Sequence, residues 1–290
     1  MTKQNPFECS AITKGIELEL TNHCLFNCKT CERKKQKDFG FMDFKTFSKT
    51  INFIKSGNYK EIFLSGLGDI FLYDKLFKII DYLFEKLPSI KVVIPTKGQS
   101  ITPEHLKKIK TLQKNNFSII PSFSVYSLNE KTYQFLTGGN LKDFYKTIEQ
   151  AKQLKLNYTF EFLITSYNIN ELKKFKSWAK SLNINNYGLS LVHNWNESMA
   201  KNKHEEFFSE KVNKFLKKRK KNEICEVFHH PYIFINWKGN IHLCSIDSIK
   251  KTGFLGNVLK DSFQTILKQK KQLNYEKTCH KCFYYQYSNL

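Results

Sequence analysis

Arginine is almost absent from this chain of 290 residues, although its formal net charge is +21 at pH 7. Arg33 and Arg219 are the only arginines, so lysine supplies nearly all of the basic excess. Bidentate recognition of phosphate groups and guanine favours arginine, and this composition therefore argues against a nucleic-acid-binding protein. A field of lysines does attract acidic molecules of any kind, so we expect an acidic protein partner.

The chain also lacks a long hydrophobic run. No apolar stretch approaches the ~20 residues that a membrane-spanning helix needs, and Met1–Ser10 has no apolar segment of the signal-peptide kind. We therefore expect a cytoplasmic protein with no membrane contact. In that compartment cysteines serve as metal ligands or reactive thiols rather than forming disulfides, so the eight cysteines point to function.

Short apolar runs alternate with helical patterns from residue 14 to residue 195. This alternation predicts an α/β fold, a partial (β/α)6 barrel of the TIM type. In such barrels functional groups gather at the C-terminal ends of the strands. The predicted strands are Ile16–Leu20, Glu61–Leu64, Val92–Pro95, Ser118–Ser124, Thr159–Ile164 and Tyr187–Val192, and the predicted helices are Phe44–Ser56 (with Asp43 as N-cap), Leu72–Leu87, Pro103–Asn115, Asp143–Leu154 and Asn170–Leu182.

Several predicted strands have one polar face. Glu17 and Glu19 alternate with apolar residues in the first strand, Ser122 and Ser124 in the fourth, and Glu161 in the fifth. If the apolar face packs on the helices, the polar face lines the lumen of the barrel. A lumen of this kind suits a polar ligand better than a plugged core. For Glu17, a position on the rim at a strand end is the alternative.

Three cysteines follow the first predicted strand. Cys24, Cys28 and Cys31 are separated by three and then two residues. Three thiolates are one too few to close a tetrahedral zinc site or to hold all four irons of a cubane cluster. A [4Fe–4S] cluster bound by them would keep one iron free for an exogenous ligand.

This CxxxCxxC motif resembles that of the radical S-adenosylmethionine (radical SAM) enzymes. The resemblance implies that the free iron binds the amino and carboxylate groups of S-adenosylmethionine (AdoMet). One departure is Thr30, at a position before the third cysteine that is usually aromatic in the family.

Segments after the next strands resemble the AdoMet-binding segments of the same family. Ser65-Gly-Leu-Gly-Asp69 resembles the GGEP segment, Pro95-Thr-Lys-Gly98 the T-N-G turn, and Ser124-Val-Tyr126 the S-x-D segment. Lys97 and Tyr126 depart from the pattern, and an arginine that some members use for the AdoMet carboxylate is absent near Gly138. Asn168 matches a family asparagine, although a helix cap is the alternative. The AdoMet contacts implied by the resemblance are Gly66, Leu67, Gly68, Asp69, Thr96, Ser124 and Asn168.

A second group of cysteines lies in residues 223–290, after a predicted linker and exposed helix over residues 196–222. Gly239 is predicted to turn a hairpin from Tyr232–Asn236 to Asn240–Cys244, which places Cys244 on the return strand. This small α+β module resembles the twitch domain, a shortened SPASM domain with one auxiliary [4Fe–4S] cluster. The ligands that the resemblance implies are Cys225, Cys244, Cys279 and Cys282. From spacing alone, a zinc site is the alternative.

The resemblance implies that a 5′-deoxyadenosyl radical abstracts hydrogen from the substrate, with an acidic electron donor such as flavodoxin or ferredoxin. A cluster closed by four cysteines would accept the substrate's second electron. We expect oxidation of a small polyol, aminocyclitol or sugar, as in the radical SAM dehydrogenases of aminocyclitols. Modification of a peptide or protein is the alternative, and a non-enzymatic protein that binds zinc and nucleic acid is a third. Glu161 and His193, near strand ends, are the candidate catalytic bases.

Overall fold

Six parallel strands, β1 to β6, alternate with helices through the larger part of the chain, which confirms the predicted partial barrel. The computed structural model describes residues 15–192, 205–212, 232–249, 251–279 and 282. The strands are β1 (Gly15–Leu18), β2 (Glu61–Phe63), β3 (Lys91–Thr96), β4 (Ile119–Val125), β5 (Thr159–Ile164), β6 (Gly188–Leu191), β7 (Phe234–Ile235), β8 (Asn240–His242) and β9 (Phe254–Asn257), and the helices are α1 (Phe44–Ser56), α2 (Leu76–Lys86), α3 (Pro103–Lys114), α4 (Glu130–Thr137), α5 (Leu141–Gln153), α6 (Leu172–Ser181), α7 (Phe263–Lys271) and α8 (Tyr275–Cys279).

Side-chain caps fix where several helices begin. The Asp43 carboxylate accepts a hydrogen bond from the backbone N–H of Thr46 at 2.8 Å, which confirms the predicted start of α1. Asn140 caps α5 in the same way, so this helix begins at Leu141 and not at the predicted Asp143. Helix α2 begins at Leu76, four residues after its predicted start at Leu72, and a 3₁₀ turn at Ile169–Glu171 replaces the predicted first turn of α6. Helix α4 was not among the predicted helices.

The apolar core lies between the sheet and the helices. Ile16, Leu18 and Leu20, on one face of the first strand segment, belong to the same buried cluster as Phe47 and Ile51 of α1. Burying these side chains removes apolar surface from water and holds β1 against the helix. The opposite face of β1 is therefore left for the two glutamates, as predicted. Within the described ranges, no helix combines the length and apolar character needed to cross a membrane.

The C-terminal hairpin continues the sheet of the barrel. The strand order is β6-β5-β4-β3-β2-β1-β7-β8-β9, and β7 pairs in parallel with β1. The N–H groups of Glu17 and Glu19 donate to the carbonyls of Ile233 and Ile235 at 3.0 and 2.9 Å. Gly239 turns the β7–β8 hairpin at a φ of 76°, as predicted. The hairpin strands are shorter than predicted: β8 ends at His242, so the prediction of Cys244 on the return strand is wrong.

Candidate active site

A cavity lies where the parallel strands end, and it brings most of the predicted site residues together. It is formed by the loop after β1 and by the segments that follow β2, β3 and β4. This is the end of a barrel at which functional groups gather. The predicted residues that line it are Cys24, Cys28, Cys31, Gly66, Leu67, Gly68, Asp69, Thr96 and Ser124.

The cysteine loop is held by the C-terminal end of α4. The carbonyl of Leu136 accepts from the N–H of Lys29 at 2.9 Å, and the carbonyl of Thr137 accepts from the N–H of Asn27 at 3.2 Å. The last carbonyls of a helix have no partner inside the helix, so the loop supplies the donors that they need. The Cys28 thiol also lies 3.9 Å from the Thr137 carbonyl oxygen. Through these contacts, the unpredicted helix α4 positions the cysteines.

The three cysteines fit a [4Fe–4S] cluster with one open iron. All three are free thiols, and they line one cavity. Among the described residues, no group of three or more His, Cys, Asp or Glu side chains is arranged for a single metal ion. In a cubane each cysteine binds a different iron, so its ligands lie farther apart. Burial raises the pKa of Cys24, and that of Cys31 to about 11. Iron binding requires the thiolate form of each cysteine.

The Ser65–Asp69 loop needs its glycines because it presses against the β1 segment. A Cβ atom on Gly66, whose φ is +148°, would lie 2.7 Å from the side chain of Glu19. A Cβ on Gly68 would lie only 2.2 Å from the carbonyl oxygen of Thr21. Close approach of two backbones is a reason for glycine that spacing alone does not show.

Glu19 lies under this loop and is not among the cavity-lining residues. Its carboxylate accepts from the N–H of Leu67 at 2.8 Å, and the N–H of Trp237 donates to it as well. Burial raises the pKa of Glu19 to about 8. The two N–H donors lower this pKa, and the charge of the nearby Glu17 raises it. Glu19 therefore supports the loop from below.

Glu17 links the cavity to the C-terminal part of the chain. Ser65, which lines the cavity, donates to one oxygen of Glu17 at 2.6 Å, and the Tyr232 hydroxyl donates to the other. Tyr232 is held in turn by the Lys270 ammonium of α7, which donates to its carbonyl. Glu17 is 9% exposed and is the third of the four residues of β1.

Asp69 joins the loop after β2 to the turn after β3. Its carboxylate accepts from the N–H of Phe71 at 3.2 Å, from the Thr96 hydroxyl at 3.2 Å, and from the Ser100 hydroxyl. The Asp69 N–H donates to the His23 carbonyl at 2.8 Å, next to the first cysteine. These bonds fix the two predicted AdoMet-contact segments relative to each other and to the cysteine loop.

Three departures from the family pattern meet at one place in the cavity. The Lys97 ammonium lies 4.9 Å from the ring centre of Tyr126 and 5.0 Å from that of Phe26. Thr30 shares a side-chain hydrogen bond with Tyr126, whose pKa burial raises to about 12. Burial by itself lowers the pKa of Lys97, but the opposite charges of Cys28, Tyr126 and the other two cysteines raise it well above its usual value. Neither Lys97 nor Tyr126 has a role predicted from the sequence.

Asn168 and Glu161 lie outside the cavity lining. The Asn168 amide donates to the carbonyls of Tyr126 and Leu163 at 2.6 and 2.7 Å, so it positions two residues that do line the cavity.

Glu161 is paired with Gly188, where a Cβ would come within 1.6 Å of its carboxylate. Burial raises the pKa of Glu161 to about 7, partly offset by a hydrogen bond with Ser190. The other candidate base, His193, lies outside the described residues.

Three of the four C-terminal cysteines lie in one region. Cys279 and Cys282 are buried with Leu243 in a small cluster, and the N–H of Cys282 donates to the Cys279 carbonyl at 2.7 Å. Cys244 follows Leu243 directly and is half-buried. The predicted fourth ligand, Cys225, lies outside the described residues.

Solved structures with this fold cover most of the chain. anSMEcpe with bound AdoMet aligns with a TM-score of 0.63 at 12% identity, over 91% of this chain and 88% of that chain. BtrN in complex with AdoMet and 2-DOIA gives 0.57 at 16%, over 93% and 92%. Streptococcus suis SuiB bound to the precursor peptide SuiA gives 0.69 at 12%, over 93% and 70%. An uncharacterised protein of Methanocaldococcus jannaschii is 24% identical over 261 residues, 84% of this chain and 88% of that protein.

Two family models match the chain where the sequence predicts its metal sites. The Radical SAM superfamily model matches residues 18–179, and the SPASM model, an iron-sulfur cluster-binding domain, matches residues 225–283. The matches confirm the predicted cofactors, a [4Fe–4S] cluster with AdoMet and further iron–sulfur chemistry in the C-terminal module, and they favour iron over zinc there. The chain therefore belongs to the radical SAM superfamily and carries a SPASM domain.

Proposed function

We propose that this enzyme oxidises a small polyol, aminocyclitol or sugar by two electrons, with an auxiliary [4Fe–4S] cluster as electron acceptor. The observation that carries the proposal is the burial of the C-terminal cysteines. Cys279 and Cys282 are 7% and 9% exposed and pack on Leu243. A cluster bound by these thiols and by Cys225 and Cys244 would have no open iron, which suits electron transfer better than substrate binding.

The barrel residues would bind and orient the substrate. When bound, the first cluster and AdoMet supply the 5′-deoxyadenosyl radical that abstracts a hydrogen atom. The residues proposed to hold AdoMet are those of the Ser65–Asp69 loop together with Thr96 and Ser124, which line one cavity with the three cysteines. Asn168 would contribute through Tyr126 and Leu163, which it holds by hydrogen bonds.

Oxidation of an alcohol also requires a base for the hydroxyl proton. Glu161 lies opposite Ser124 in the β4–β5 register, and burial raises its pKa to about 7. A carboxyl group of this pKa takes up and releases a proton near neutral pH, as a general base must. We therefore keep Glu161 as a proposed base, together with His193 near the end of β6.

Deuterium transfer tests the proposal. Reconstituted enzyme would be incubated anaerobically with dithionite, AdoMet and a panel of polyols and aminocyclitols deuterated at the carbinol carbon. We expect the label in 5′-deoxyadenosine and one AdoMet consumed per oxidised product. Glu161→Gln should slow oxidation and remove an acid limb near pH 7 from the rate profile, whereas Glu149→Gln, on the surface of α5, should not. Label retained in the product would contradict the proposal.

Modification of a peptide or protein is the second candidate function. The likeness to SuiB, a structure that contains the precursor peptide SuiA, supports it. The likeness to BtrN, solved with AdoMet and 2-DOIA, supports oxidation of a small molecule instead. A precursor peptide that alone stimulates AdoMet cleavage, with no response to any polyol, would establish the peptide reading.

A further inference from the structure

Lys97 places a positive charge inside the cavity. It follows Thr96, the last residue of β3, and its ammonium lies about midway between the rings of Phe26 and Tyr126, 5.0 and 4.9 Å from their centres. Phe26 is 4% exposed, so one wall of this position is closed to solvent. Cation–π contacts of this kind hold an ammonium group in place without neutralising it.

The acidic groups around the cavity are engaged elsewhere. Asp69 accepts from Phe71, Thr96 and Ser100, and Glu17 accepts from Ser65 and Tyr232. Among the described residues, no carboxylate forms an ion pair with Lys97. Lys97 is half-buried, and an ammonium group in a partly enclosed cavity with no carboxylate partner favours binding of an anionic group.

Lys97 also lines the cavity together with the three predicted cluster ligands. Its electrostatic partners include Cys24, Cys28 and Cys31. Arg33, which also lines the cavity, is directed elsewhere: its guanidinium donates to the Phe26 carbonyl at 3.2 Å and lies over the ring of Phe39. Lys34 is exposed. Of the three cations that line the cavity, Lys97 is therefore the one placed to bind an anionic ligand there.

AdoMet carries a single anionic group, its carboxylate, beside a cationic sulfonium and an ammonium. We propose that Lys97 binds the carboxylate of AdoMet in this chain, held in position by Tyr126. The hydrogen bond between Thr30 and Tyr126 and the bond from Asn168 to the Tyr126 carbonyl fix the ring against which the ammonium rests. This assignment depends on AdoMet binding and not on the identity of the oxidised substrate.

A thermodynamic cycle tests the contact directly. Dissociation constants of AdoMet and of decarboxylated AdoMet would be measured by equilibrium dialysis against reconstituted wild-type and Lys97→Met protein. We expect Lys97→Met to weaken AdoMet about tenfold to a hundredfold, and to leave decarboxylated AdoMet within about twofold. Any interaction of the carboxylate with iron is lost equally from both proteins when the carboxylate is removed, so it cancels in the cycle.

Two further variants serve as controls. Lys97→Arg keeps the positive charge and should recover most of the preference for AdoMet over decarboxylated AdoMet. If Lys97→Met retains too little iron to be measured, Lys97→Arg is compared with wild type instead. Lys114→Met removes an exposed lysine at the end of α3 and should match wild type with both ligands. Iron content and circular dichroism would be recorded for each protein.

Three results would overturn the assignment. Equal weakening of both ligands by Lys97→Met would show that Lys97 acts through the fold. Unchanged AdoMet binding with a raised KM for substrate would assign the ammonium to a substrate anion. A shifted midpoint potential of the first cluster, with no difference between the ligands, would assign it to the cluster itself.

Discussion

Replacing Gly68 by alanine is expected to displace the loop that would hold AdoMet. The added Cβ would lie 2.2 Å from the Thr21 carbonyl oxygen and 2.8 Å from the Asn22 Cα, both backbone atoms. Real Cβ atoms essentially never approach closer than 3.0 Å, so one segment must move by 3.0 − 2.2 = 0.8 Å. Neither backbone can yield by rotating a side chain, so the loop itself must shift.

The size of the effect follows from the two hydrogen bonds that anchor the loop. Leu67 N–H to Glu19 and Asp69 N–H to the His23 carbonyl are both 2.8 Å long. A shift of 0.8 Å would stretch them to about 3.6 Å, which is too long for a hydrogen bond. Each lost bond costs about 0.5–1.5 kcal/mol, so AdoMet affinity should fall about tenfold to a hundredfold.

Equilibrium dialysis with AdoMet and thermal unfolding would be measured for Gly68→Ala and for a matched control. Gly57→Ala creates a similar overlap, 2.3 Å from the Tyr59 ring, at the end of α1. Side chains can move aside there, so Gly57→Ala should lower stability while AdoMet affinity stays at the wild-type value. If Gly68→Ala binds AdoMet as wild type does, the loop does not carry the contact and the reasoning fails.

Three further predictions concern the clusters, pH and the electron donor. Replacing Cys24, Cys28 and Cys31 together by Ala should abolish AdoMet cleavage, measured by chromatography. Replacing Cys279 and Cys282 by Ala should preserve AdoMet cleavage in the absence of substrate but abolish product formation. A product yield equal to that of wild type in this second variant would exclude the auxiliary cluster as the electron acceptor. Burial raises the pKa of Glu19 from 4.5 to about 8, so between these pH values the folded protein keeps a proton that the unfolded chain has lost. The resulting contribution to the free energy of unfolding is complete below pH 4.5 and is lost as the pH rises to about 8. Glu19→Gln should flatten the fall in Tm across that window, and Glu85→Gln should not. Activity with flavodoxin should fall as ionic strength rises while activity with dithionite stays constant; equal salt responses would show that the lysine excess does not recruit the donor.

Local pattern was sufficient for much of the fold. Phe44–Ser56 and Thr159–Ile164 have the predicted bounds, because a capped amphipathic helix and an alternating strand are determined by neighbouring residues. Helix α4 was missed because its eight residues, Glu130–Thr137, lie where the pattern showed only a connection. Its contribution, two carbonyls offered to the cysteine loop, is a contact between distant segments that a linear sequence does not show.

In the candidate site, too, contiguous motifs could be predicted from the sequence and contacts between distant segments could not. The cysteines and the glycine loop were found because each motif is contiguous in the chain. The meeting of Thr30, Lys97 and Tyr126 could not be found, because it joins residues from three separate loops. Glu17 was placed on the correct face by alternation, yet its two partners, Ser65 and Tyr232, are set by the packing of the C-terminal hairpin against β1.

The parallel pairing of β7 with β1 has a consequence for any attempt to separate the two iron–sulfur modules. With the hairpin removed, β1 would become an edge strand, and its free N–H groups, including those of Glu17 and Glu19, would face solvent beside the cysteine loop. Exposed edges of this kind recruit strands from other molecules. A barrel truncated before residue 232 should therefore aggregate, and Glu17 would lose the Tyr232 hydroxyl as well. The barrel and the C-terminal hairpin therefore depend on each other for the hydrogen bonds between β1 and β7.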